Sequence, residues 1–71
     1  MRPEFHDLQG RRVEIPAHYD LWVQGARMGV VRGIYTDERG VEMVEIKMEH
    51  PQVKRLARMP AHDLFEFGKI S

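Results

Sequence analysis

Four histidines, at positions 6, 18, 50 and 62, are the first candidates for catalysis or metal binding. None stands at the i,i+4 or paired spacing that puts two imidazoles on one face. His6-Asp7 and His62-Asp63 set a carboxylate beside an imidazole, but successive side chains of an extended segment point to opposite faces. A zinc site would have to gather ligands from three distant segments, so each histidine reads as structural or solvated. Nucleophilic chemistry is no better served. There is no cysteine, Ser71 is the lone serine, and Thr36 stands by itself at a turn, so no nucleophile–base pair can be drawn. Glu42, Glu45 and Glu49 could supply a carboxylate pair, but they read as the solvated face of a strand. Gly25, Gly29 and Gly33 recur every four residues without the strand–loop–helix context of a phosphate loop, and they read as marks of sheet curvature.

The cations are more informative. Residues 50–59 hold Lys54, Arg55 and Arg58 and no acid, and Arg27 and Arg32 lie in the glycine-containing segment before them. Together these five form a candidate patch for phosphate or another anion. Trp22 and Tyr35 are candidate stacking platforms for an unpaired base. Residues 37–49 carry five acids against two bases. The competing reading is therefore that acidic and basic strands pair with each other, each contact worth a few tenths of a kcal/mol, with Trp22 filling a small core. Complementary acidic and basic sides also suit symmetric self-association.

These side chains have to be positioned by very little chain. Seventy-one residues allow one domain, which buries only about 60% of its unfolded surface. Without cysteine, disulfides and thiolate metal sites are closed, leaving a partner subunit as the expected source of extra stability. Eleven basic residues balance eleven acidic ones, which removes the simple argument for nucleic-acid binding from net charge. No apolar run reaches the roughly 20 residues of a membrane span, and no signal peptide follows Met1; the expectation is a cytoplasmic domain without membrane contact.

The elements read as mostly strands. Residues 1–18, with Pro3, Gly10 and Pro16, form a polar N-terminal arm: either Arg11–Ile15 is a short edge strand ended by Pro16, or the arm docks on a neighbouring subunit. From residue 19 to 71 the chain reads as the domain proper. Leu21-Trp22-Val23 is a short run of strand formers closed by Gly25. Met28–Thr36 is rich in β-branched and aromatic residues, its glycines marking a bulge or a close backbone approach. Asp37-Glu38-Arg39-Gly40 is a hairpin turn in which aspartate bonds its own backbone and Gly40 takes positive φ. Val44, Ile46 and Met48 then alternate with Glu45, Lys47 and Glu49, a clean period of two. Residues 52–59 fit a kinked fourth strand better than a short helix. Pro60–Leu64 reads as a single 3-10 turn, and Phe65-Glu66-Phe67 as a closing strand. The sum is an all-β, five-stranded, SH3-like barrel with a 3-10 turn before its last strand. Pro16-Ala17-His18-Tyr19-Asp20-Leu21 echoes Pro60-Ala61-His62-Asp63-Leu64, but offset by one residue, and the echo reads as chance.

Two families share parts of this pattern. Arg27-Met28-Gly29-Val30-Val31-Arg32-Gly33-Ile34, followed by a charged hairpin and a second strand, resembles the KOW motif of SH3-like barrels that bind RNA or protein. Over residues 19–66 the chain is also similar to the plasmid-borne type II dihydrofolate reductases. Gly29 to Tyr35 resembles their Gly-x-Ile-Val-Gly-Trp-Tyr strand, His50-Pro51 their His-Pro, and Pro60-Ala61 to Leu64 their Pro-x-Ala-x-Leu turn. That family assembles as a tetramer around a pore where folate and nicotinamide stack against a Val-Gln-Ile-Tyr run. Here Leu56-Ala57-Arg58-Met59 stands in its place, two extra residues precede Pro60, and the family's first-strand lysine has no counterpart in residues 20–24. The resemblance thus implies the fold and a tendency to oligomerise. The favoured expectation is a non-catalytic module, a homo-oligomer recognising nucleic acid or a protein partner. The alternative is a divergent, pore-forming oxidoreductase with NADPH as cofactor.

Overall fold

The alternation of Val44, Ile46 and Met48 with Glu45 and Lys47 forms the strand its period demands, one of five in a single antiparallel sheet. The computed structural model describes residues 4–70; the first three residues of the N-terminal arm and Ser71 lie outside that range. After a 3-10 turn at Phe5–Asp7 come β1 (Arg12–Glu14), α1 (Asp20–Val23), β2 (Met28–Thr36), β3 (Glu42–Met48), β4 (Ala57–Pro60), α2 (Ala61–Phe67) and β5 (Lys69–Ile70). The order across the sheet is β4-β3-β2-β1-β5. The domain is therefore all-β in its framework and five-stranded. The end strands β4 and β5 share no ladder among the described residues, and α2 carries the chain from one to the other while touching β3, β4 and β5.

The β2–β3 hairpin follows the local chemistry closely. Asp37 Oδ1 accepts from the backbone N–H groups of Arg39 and Val41, both at 2.9 Å. Gly40 has φ +82°, a conformation that only glycine adopts without strain. The register slips between Val31 and Gly33, so Arg32 is the extra residue of a bulge in the glycine-marked strand.

Three local expectations are corrected. Leu21-Trp22-Val23 is not a strand but the short helix α1. Ile15 N–H still bonds Arg27 O, so residues 16–26 must leave β1 and return to its immediate neighbour, about 5 Å away. A connection under that constraint has to turn back on itself; Leu21 and Trp22 pack against the core and Val23 is left 88% exposed. The expected 3-10 turn and closing strand at 60–67 are a single α-helix, α2, with Pro60 at its N-cap. Ala61 and Leu64 are its buried positions, a spacing of three that belongs to a helix, and Phe67 is 61% exposed where a strand would have buried it. The closing strand is instead Lys69–Ile70. Finally, β1 is no edge strand: it pairs with β2 on one side and β5 on the other.

The sheet's faces follow from the register. Val13, Val31, Val44, Ile46, Met48 and Met59 are buried and meet Phe5, Leu8 and Ile15 of the lead-in and Ala61 and Leu64 of α2 in one core. Fully burying each such aliphatic side chain contributes about 1.5–3 kcal/mol. The opposite, outer face carries Val30 opposite Lys47, Gly33 opposite Glu45 and Tyr35 opposite Met43, with Arg58 and Pro60 beyond them on β4.

Candidate functional site

The expected basic residues are all exposed, but they divide into three places. Arg55 and Arg58, with Leu56 between them, line an open cleft of about 400 Å³ beside β4. Lys54 directly precedes them, and its carbonyl accepts from Lys47 Nζ at 3.5 Å. Arg32 projects from the β2 bulge next to Gly33, one strand beyond Glu45. Arg27 stands apart at the start of β2, its guanidinium 4.4 Å from the centre of the Trp22 ring.

Trp22 is half-buried on α1 and donates its indole N–H to Ile15 O. One ring face is taken by Arg27, so a base reaching Trp22 on that side has to stack over the guanidinium. Tyr35 is 37% exposed on the outer face. Its cross-strand neighbours Met43 and Pro60 complete a small apolar row. By strand spacing and rise, Tyr35 and Arg58 lie roughly 12 Å apart diagonally across that face.

Ion pairs satisfy much of the remaining charge. Arg58 Nε donates to Glu45 Oε2 at 3.0 Å across the β3–β4 ladder. Arg12 reaches over β2 to grip both carboxylate oxygens of Glu49, at 2.7 and 3.1 Å; this hydrogen bond holds the Glu49 carboxyl below its ordinary pKa. Among the described residues, neither Lys54 nor Arg55 nor the side chain of Arg32 has an acidic partner.

A second cluster was not foreseen from sequence. Tyr19 donates its hydroxyl to Asp63 Oδ2 at 2.6 Å, joining the start of α1 to α2. Burial first, and this hydrogen bond second, push the phenol well above its ordinary pKa. His18 stacks on Tyr19 and meets Phe67 edge-on; its Nε2 is 3.9 Å from Asp63 Oδ2, and His62 Nε2 is 3.3 Å from Asp63 Oδ1. Even so, no group of three His, Asp or Glu among the described residues is arranged to hold a metal ion. Nor is any helix there long and apolar enough to cross a membrane.

Compared with models of protein families, with curated proteins and with solved structures, the chain matches none.

Proposed function

We propose that this domain is a binding module for an extended anionic ligand, single-stranded nucleic acid, taken up along β4 and the outer face of the sheet. The observation that carries this reading is the open cleft between Arg55 and Arg58, with unpaired Lys54 beside it and the neighbouring acids Glu45 and Glu49 already engaged by arginines. Phosphates would sit at Lys54, Arg55 and Arg58 and, further across the face, Arg32. Tyr35 offers an exposed ring at a distance spanned by about two nucleotides, and its π-face accepts any base. Such a site positions a backbone and reads little sequence.

Fluorescence anisotropy of a labelled single-stranded oligonucleotide tests the proposal. Three to four phosphate contacts, at a slope of about −0.7 each, predict affinity falling roughly 20- to 50-fold between 50 and 200 mM salt. Arg55→Gln should weaken binding and flatten that slope. No binding at 50 mM salt overturns the reading.

A second reading, self-association, is favoured by one observation: among the described residues β4 is paired on one side only, with Leu56 38% exposed beside it. Light scattering gives the oligomeric state. If an oligomer forms, NADPH oxidation with dihydrofolate tests whether its clefts together make a reductase-like pore.

A further inference from the structure

Glu45 occupies an unusual seat. It stands on the outer face between Gly33 of β2 and Arg58 of β4. Its Oε2 accepts from Arg58 Nε at 3.0 Å, and its Oε1 lies 3.3 Å from where a Cβ on residue 33 would be. The absence of a side chain at Gly33 lets the carboxylate lie down on the sheet. There its side chain is only 24% exposed, against 67% for Arg58. A carboxylate oxygen on an arginine N–H presents the same charge and acceptor chemistry as a phosphate oxygen.

We infer that Glu45 is a built-in competitor that an anionic ligand has to displace from Arg58, so that it sets the affinity threshold of the cleft. This inference rests on the reading of the cleft as the ligand site. An exposed pair of this kind shifts equilibria by no more than about fivefold; Glu45 therefore delays occupation of Arg58 without preventing it. The competition also leaves a signature in salt dependence. When a phosphate takes Arg58 from Glu45, the freed carboxylate recruits a cation from solution, offsetting the counterion that the phosphate releases. Without the carboxylate, the full release appears.

The experiment compares the wild-type domain, Glu45→Gln and Glu42→Gln by oligonucleotide anisotropy from 50 to 200 mM salt. Glu42 lies three residues away on the same strand, roughly 10 Å distant and on the opposite face by alternation, and has no basic partner among the described residues. It therefore reports the general effect of deleting one negative charge. We expect E45Q to bind about three- to fivefold more tightly at 50 mM salt and to steepen the salt slope by about 0.7. E42Q should leave the slope unchanged. Adding Arg58→Gln to E45Q should abolish the gain, and Glu45→Ala, checked by thermal melting, serves as a second variant of the same position. If E45Q and E42Q behave alike, or the E45Q slope equals that of the wild type, the competitor role is overturned while the cleft keeps its ligand. If neither wild type nor E45Q binds at 50 mM salt, the cleft reading falls and this inference with it.

Discussion

Gly29→Ala should destabilise the domain more than any substitution of comparable size on its surface. Gly29 sits where three strands meet, opposite Val13 of β1 and Met48 of β3. A Cβ there would come within 2.5 Å of Ile46 Cγ2, 2.8 Å of Lys47 O and 3.1 Å of Met48 Sδ. Rotating Ile46 relieves the first contact, but the second is backbone, held in the ladder. The strain therefore falls at the upper end of the 1–3 kcal/mol typical of overpacking. Alanine returns up to about 1 kcal/mol by restricting the unfolded chain, leaving a net loss of about 2 kcal/mol. For a domain of this size that lowers Tm by roughly 8–16 °C. Gly33→Ala is the internal comparison: its new Cβ would meet only the movable end of Glu45, at 3.3 Å, and a change within about 0.5 kcal/mol is expected. Circular dichroism melts of the two variants decide the matter. A G29A Tm within about 2 °C of wild type would refute the packing argument.

Two further predictions concern pH. The Tyr19 phenol has a raised pKa in the folded state through burial and its bond to Asp63; its stabilisation is thus present below the unfolded value of about 10 and lost as pH rises beyond it. Chemical denaturation between pH 9 and 11 should show this alkaline loss in the wild type and its absence in Tyr19→Phe, which near neutrality should be about 1 kcal/mol less stable; an identical alkaline profile would dismiss the contact. Glu49, lowered chiefly by its hydrogen bond from Arg12, and Asp37, lowered chiefly by the Val41 N–H, stabilise the fold above the unfolded carboxyl values near 4 and lose that contribution on acidification through and below them. Melts from pH 5 to pH 2 should therefore show a smaller acid loss in Glu49→Gln than in the wild type, and parallel curves would contradict the role given to Arg12.

How much of this was legible depended on whether local chemistry or distant packing made the choice. The β2–β3 hairpin was readable because each of its devices is local: a period of two on β3, a turn aspartate bonding two following N–H groups, and Gly40 at positive φ. The helices were not. Leu21-Trp22-Val23 and Phe65-Glu66-Phe67 have strand-like compositions, and both were decided by where the chain had to go next. In α1 the return from β1 to β2 forced a turn; in α2 the chain had to cross from β4 at one end of the sheet order to β5 at the other, and the alternation of Phe65-Glu66-Phe67 was too short to hold a strand. For the site, the nearness of Arg55 to Arg58 follows from sequence, but the pairing of Arg58 with Glu45 needs the β3–β4 register. The Tyr19–Asp63 contact spans 44 residues. The two Pro-Ala-His segments that lead into it adopt different conformations: Pro60 is the N-cap of α2, whereas Pro16 lies in a turn that accepts from Tyr19 N–H. Their resemblance therefore foretold neither structure nor contact.

Zero net charge is a poor guide to this molecule because its charges cancel at different distances. On the outer face the acids near β4 are neutralised at contact range by Arg58 and Arg12. Of the side chains without an ion-pair partner among the described residues, Arg32 stands midway along the sheet at the β2 bulge, and others lie near the two ends of β3. Glu38 and Glu42 lie at the hairpin end, and Lys54 and Arg55 in the segment between β3 and β4. Seven residues of strand put about 20 Å between those ends, twice the screening length of about 10 Å at 0.1 M salt. An anion at Lys54 or Arg55 therefore responds to the basic end and scarcely to the hairpin, whereas one at Arg58, opposite Glu45, lies only about 10 Å from Glu42. The β3–β4 register also places Glu45 within contact range of Arg58, which makes it the acid best placed to oppose binding there.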